Sequence, residues 1–102
     1  MQEFAIGQRW LSDTESELGL GVLVGVDERT ISILFPKSDE TRVYARQNAP
    51  LSRIVFAVGD SLTDQDGQEW LVEGCEEQHG VMRYRVVQGE ERKVLTETRL
   101  GA

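Results

Sequence analysis

Leu18–Pro36 reads LGLGVLVGVDERTISILFP, two apolar runs around a polar break. Val22, Val24 and Val26 alternate with Leu23 and Gly25. Asp27-Glu28-Arg29-Thr30 interrupts, and Ile31, Ile33 and Phe35 then alternate with Ser32 and Leu34. Successive side chains of a strand point to opposite faces, so a period of two rich in β-branched residues on both sides of a four-residue turn is the pattern of a β-hairpin.

Working outward, Phe4, Ile6 and Gly7-Gln8-Arg9-Trp10 within Met1–Leu11 read as a short lead-in strand, with Gly7 permitting a bend. Ser12-Asp13-Thr14-Glu15-Ser16-Glu17 is polar and acidic and reads as a loop. Thr14–Leu20 comes nearest to helical periodicity, but two glycines end it. Downstream, Pro36–Glu40 has turn chemistry. Thr41–Arg46 is expected as a fourth strand, Val43 and Ala45 inward, Arg42, Tyr44 and Arg46 outward. Gln47–Pro50 turns the chain, and Ser52–Phe56 is expected as a last short strand. Five short strands around one strongly bent hairpin suggest an SH3-like barrel, in which closing the sheet protects its edges.

The second half repeats the plan. Ile6-Gly7-Gln8 has a counterpart in Val58-Gly59-Asp60. Trp70–Gly74 is matched to Val22–Val26, and Glu76-Glu77-Gln78-His79-Gly80 to the first hairpin turn. Val81–Val87 places Met82, Tyr84 and Val86 on one face and Arg83 and Arg85 on the other. Gln88–Arg92 is a turn, and Lys93–Leu100 returns as one or two strands. The acidic loop shortens to Asp64-Gln65-Asp66-Gly67, an Asp-Gly turn. The expected architecture is all-β: two tandem small SH3-like barrels of strongly bent antiparallel sheet, residues 1–57 and 58–102.

Composition narrows the function. The chain has 102 residues and a net charge of -7; residues 1–56 hold 8 acids and 6 bases, residues 57–102 hold 10 acids and 5 bases. Neither half has the positive balance that counterion release on nucleic acid favours. No apolar run approaches the roughly 20 residues that span a bilayer, so no membrane role is expected. Met1–Leu11 lacks the basic start and apolar core of a secretory signal, and the single cysteine, Cys75, cannot form an internal disulfide. Both suit a cytoplasmic setting.

Catalytic chemistry finds little support. His79 is the only histidine, it precedes Gly80 in an expected turn, and no pattern supplies it with a nucleophile and an orienting group. Cys75 has no partner cysteine for a zinc site and no adjacent base to activate it. Asp64, Asp66 and Glu69 lack the remaining ligands of a calcium loop, and no phosphate-binding P-loop motif is present. No catalytic, metal or cofactor residue is expected.

Two stretches remain as partner-binding candidates. Asp13, Glu15 and Glu17 form a charge run; such a run is usually a solvated loop, and otherwise a contact for a basic surface. Arg42, Tyr44 and Arg46 share one strand face, with Arg53 nearby; two guanidiniums around an aromatic can stack on bases and meet phosphates, although a solvated sheet face is the ordinary reading. Trp10 with Tyr44 could begin an aromatic cage for a methylated lysine, but such cages need several convergent rings.

Gly7-Gln8-Arg9-Trp10, Ser12–Gly21, Leu34-Phe35-Pro36 and Tyr44-Ala45-Arg46 together resemble the N-terminal region of the RapA family, the bacterial RNA polymerase-associated ATPases of the Swi/Snf helicase-like superfamily. The resemblance is specific over roughly residues 4–60 and is one of layout from Gly67 onward. It implies tandem Tudor-like or KOW-like barrels. It also implies a non-catalytic N-terminal module of a larger motor that recycles RNA polymerase in transcription. RNA polymerase core and the ATPase lobes of its own chain are the implied partners; nucleic-acid contact would be weak or indirect. ATP and magnesium would belong to the motor lobes, and no family catalytic residue falls on this chain. The rival expectation is a nucleic-acid-binding module using Arg42, Tyr44 and Arg46.

Overall fold

The computed structural model describes residues 4–101. The part of the lead-in strand expected on Met1–Glu3 lies outside them. The fold is all-β and consists of two antiparallel sheets. The first contains β1 (Arg9–Ser12), β2 (Leu20–Val26), β3 (Thr30–Phe35), β4 (Glu40–Ala45) and β5 (Leu51–Arg53), in the order β4-β3-β2-β1-β5. The second contains β6 (Ser61–Thr63), β7 (Glu69–Gln78), β8 (Val81–Gln88) and β9 (Glu91–Thr96), in the order β6-β7-β8-β9. Short 3-10 turns occupy Ser16–Leu18 and Glu97–Arg99.

The quoted stretch is the β2-β3 hairpin. Leu23, Ile31, Ile33 and Phe35 are fully buried, and with Trp10, Leu18 and Leu51 they make the first core. Val24 and Val26 lie on the exposed side. A shift in pairing between Leu23 and Gly25 introduces a bulge that bends the strand. The second core contains Leu62, Trp70, Val72, Tyr84, Val86, Leu95 and Leu100. The expected split of Met82, Tyr84 and Val86 from Arg83 and Arg85 holds: Tyr84 and Val86 are buried and Met82 packs against them.

The internal repeat has a backbone signature. Gly7 N–H donates to Leu23 O and Leu23 N–H to Gln8 O, both 2.9 Å; Gly59 N–H donates to Val72 O and Val72 N–H to Asp60 O, again both 2.9 Å. Gly7 (φ 99°) and Gly59 (φ 97°) share the left-handed conformation that glycine accepts without a Cβ penalty. The second sheet has its own bulge, between Val72 and Gly74. Leu23 therefore corresponds to Val72, and Trp70–Gly74 corresponds to Gly21–Gly25. The match to Val22–Val26 was one residue out, because a run of similar apolar residues looks alike after a slip that exchanges its faces.

Four other expectations are corrected. On β4, Val43 is 64% exposed while Tyr44 is half-buried against the first core, the reverse of the expected facing. Directly paired residues share a face, and the register sets Tyr44 opposite buried Ile31 and Arg42 opposite buried Ile33. Ser52–Phe56 is not one strand: β5 ends at Arg53, and Phe56 turns to the second core, where its ring meets Tyr84 edge-on at 5.9 Å and its N–H donates to the Tyr84 hydroxyl at 3.1 Å. Glu76–Gln78 belong to β7, and the turn contracts to His79-Gly80, both at positive φ as a two-residue hairpin of mirror-image type requires. Likewise Gln88 and Glu91–Arg92 lie in strands, leaving Gly89-Glu90 as the turn.

Candidate interaction surface

The acidic loop is shaped by its own side chains. Ser12 Oγ accepts the N–H groups of Thr14 (3.3 Å) and Glu15 (2.9 Å), and buried Leu18 anchors the 3-10 turn that follows. Asp13 Oδ1 accepts the Ser52 hydroxyl at 2.5 Å, and Asp13 N–H donates to Pro50 O at 2.8 Å. Glu15 faces β4: its Oε2 lies 3.4 Å from Arg42 Nη2, which also meets Glu40 Oε2 at 3.2 Å. The hydrogen bond to Glu15 and the charge of Glu40 raise the Arg42 pKa above its ordinary value. Glu17 is exposed. The acidic loop and the arginine strand, read as two separate candidates, thus form one mixed-charge rim on the first sheet.

Tyr44 and Arg46 lie on the same strand face but are engaged inward. Burial raises the Tyr44 pKa, and Ser12 opposes the shift. Arg46 Nη1 donates to Asp27 O at 2.8 Å, and its guanidinium sits 6.0 Å from the Phe4 ring centre. Trp10, 3% exposed and 5.3 Å from Phe4, is a core residue and cannot open a cage with Tyr44.

Arg53 lies elsewhere, in the seam between the sheets. Its Nη2 donates to Glu97 Oε1 at 2.7 Å and to Gly80 O at 2.9 Å, and its Nε to Glu97 Oε2 at 3.3 Å. Glu97 is completely buried and also accepts Arg9 N–H (2.6 Å) and Met82 N–H (2.9 Å). The Arg9 guanidinium, buried too, donates to Gly21 O (2.9 Å) and Leu20 O (3.2 Å) of the first sheet, and to Thr98 O (3.4 Å) and Leu100 O beside the second. Burial lowers the Arg9 pKa and the charge of Glu97 opposes this. Gln8 Nε2 donates to Gly80 O at 2.8 Å, and Thr98 Oγ1 to Gly7 O at 3.0 Å. A cleft of about 410 Å³ opens alongside, lined by Arg9, Val22, Leu34, Pro36, Thr98 and Leu100 among others.

Sequence reasoning missed Glu97 and Arg9 as the charges that join the sheets. Strand periodicity placed no weight on Arg9 between Gln8 and Trp10, yet all three are buried. Nothing local in Glu97-Thr98-Arg99 announces a partner 88 residues away.

Asp64 acts as a turn organiser. Its Oδ1 accepts the N–H groups of Asp66 and Gln68 at 2.9 Å, and its Oδ2 the Trp70 indole at 2.9 Å. Among the described residues no group of three or more His, Cys, Asp or Glu could hold a metal ion, and no helix is long and apolar enough to cross a membrane.

Residues 4–54 match the family described as RapA N-terminal Tudor like domain 1, and residues 56–102 match the RapA N-terminal Tudor like domain.

Proposed function

The chain belongs to the RapA N-terminal Tudor-like family, and on that footing we propose that it is a non-catalytic regulatory and protein-binding module of a cytoplasmic, RapA-like RNA polymerase-associated ATPase. In this reading it contacts RNA polymerase core, restrains the ATPase motor, or does both. ATP and magnesium belong to the motor lobes. The observation that carries the reading is the rim where Glu15, Arg42 and Glu40 bridge the acidic loop to the edge strand. Its charges are partly exposed, Arg42 and Glu40 on the edge strand and Glu15 on the loop beside it, an arrangement that steers encounter with a partner of complementary charge and fixes register.

The nucleic-acid alternative is weaker. Arg42 already faces two carboxylates and Arg46 a carbonyl, and the net charge is -7.

The test is to change Asp13, Glu15 and Glu17 to Lys and to measure binding to RNA polymerase core and to the motor lobes over a salt titration. The expected result is weaker binding with an altered salt slope. Unchanged binding at every salt concentration would remove the acidic loop from the contact.

A further inference from the structure

Among the described residues no strand pairs with the outer edge of β4. β4 is the terminal strand of its sheet, six residues long, with β3 on one side only. Arg46 N–H donates to Arg29 O, on the β3 side. Backbone groups of a strand alternate sides, so Glu40, Arg42 and Tyr44 also turn their N–H and C=O groups to β3. Thr41, Val43 and Ala45 turn theirs outward, a row of unpaired donors and acceptors of the kind that templates another strand.

From this edge we propose that two copies of the chain associate through antiparallel pairing of β4 with β4, about a two-fold axis at Val43. The edge carries Glu40 and Arg42 of the rim described above, so a second copy and a docked partner would compete for it. The sequence of the strand is self-complementary in that register. Val43, 64% exposed, meets Val43 of the second copy, and the two exchange both backbone hydrogen bonds. Thr41 meets Ala45, supplying a further exchange on each side of the axis. Glu40 meets Arg46 and Arg42 meets Tyr44, each twice; in the dimer Arg46 shares its Asp27 carbonyl, and Arg42 its Glu15 and Glu40 carboxylates, with these new partners across the seam. A contact that repeats itself through a two-fold axis closes at two copies.

The other long edge shows the opposite arrangement. In β9, Glu91–Thr96, a two-fold at the exposed Val94 sets Arg92 against Thr96 and Lys93 against Leu95, with no opposite charges across the seam, and the strand carries both bases in its first half. Charged edge residues of that kind block edge-to-edge pairing. β5 and β6 have three residues each and offer short templates. Among the described edge strands, β4 alone combines length, an apolar centre and complementary ends.

The test is sedimentation velocity on the 102-residue chain over a concentration series, with three variants checked for native fold by circular dichroism. Val43→Pro removes an outward N–H that the β3 ladder does not use, and abolishes the dimer. Arg46→Glu sets Glu40 against a carboxylate on both sides and weakens association by roughly tenfold. Glu40→Arg combined with Arg46→Glu restores it, because the pairs are re-formed in reverse. A chain that stays monomeric to about 1 mM, a Val43→Pro variant that dimerises like the wild type, or a double variant as weak as Arg46→Glu would each overturn the proposal.

Discussion

Two carboxylates show how a residue's partners, more than its type, decide its role. Glu97 is fully buried and receives two backbone N–H groups and the Arg53 guanidinium. Removing one member of such a buried pair strands the other, so Glu97→Ala is expected to cost about 3–5 kcal/mol in urea denaturation, and Glu97→Gln less, since an amide oxygen still accepts. Asp64 illustrates linkage. The Trp70 indole, with the Gln68 and Asp66 N–H groups, holds its carboxyl below the ordinary value, and Lys93 adds to this. Its folded pKa lies below the unfolded value of about 3.9, so its stabilisation is fully present above that value and is lost as pH falls through the folded one. Asp64→Asn is therefore expected to flatten the fall of stability below about pH 4, measured by denaturant melts at stepped pH; an unchanged slope would contradict this role. Neither function was legible in the sequence. Asp64-Gln65-Asp66-Gly67 announced a turn but not the buried Trp70 indole that its aspartate accepts, and the partners of Glu97 are far away along the chain.

Among elements, the hairpin was legible because alternation in Ile31, Ile33 and Phe35 is enforced by one buried face. β4 was misread because its apolar residues, Val43 and Ala45, sit on the solvent side, and facing is dictated by the register with β3. The glycines of the two bulged strands separate packing from backbone need. A Cβ on Gly21 would lie 2.5 Å from Ile33 Cγ2 and 2.8 Å from Phe35 Cε1, both in the core. One on Gly74 would meet the far end of the exposed Arg85 side chain. Gly21→Ala is thus expected to destabilise by about 1–3 kcal/mol, and Gly74→Ala by under about 0.5 kcal/mol, since Arg85 can swing away and a strand glycine carries an entropic cost of its own. Thermal melts of both variants check the contrast; equal losses would contradict it.

For the whole molecule, the question is whether two barrels behave as one. The repeat was visible in the pattern of glycines and strands, but the seam was not, since it is made of single charges and carbonyls with no periodicity. Each core contains one tryptophan, Trp10 in the first and Trp70 in the second. Trp10→Phe and Trp70→Phe variants therefore give fluorescence reporters for each barrel. Coincident unfolding transitions are expected with Glu97 in place, and separated ones with Glu97→Ala in the same backgrounds. Separated transitions with Glu97 present would show that the seam does not couple the barrels.

Under the proposed function, a single module of this kind would transmit a partner's contact to the motor as one body. The most direct measurement is the ATPase rate of the RapA-like motor with and without residues 1–102, in the presence and absence of RNA polymerase core. The account predicts that removal changes the basal rate and abolishes the response to polymerase. A motor whose basal rate and polymerase response both survive removal would contradict it.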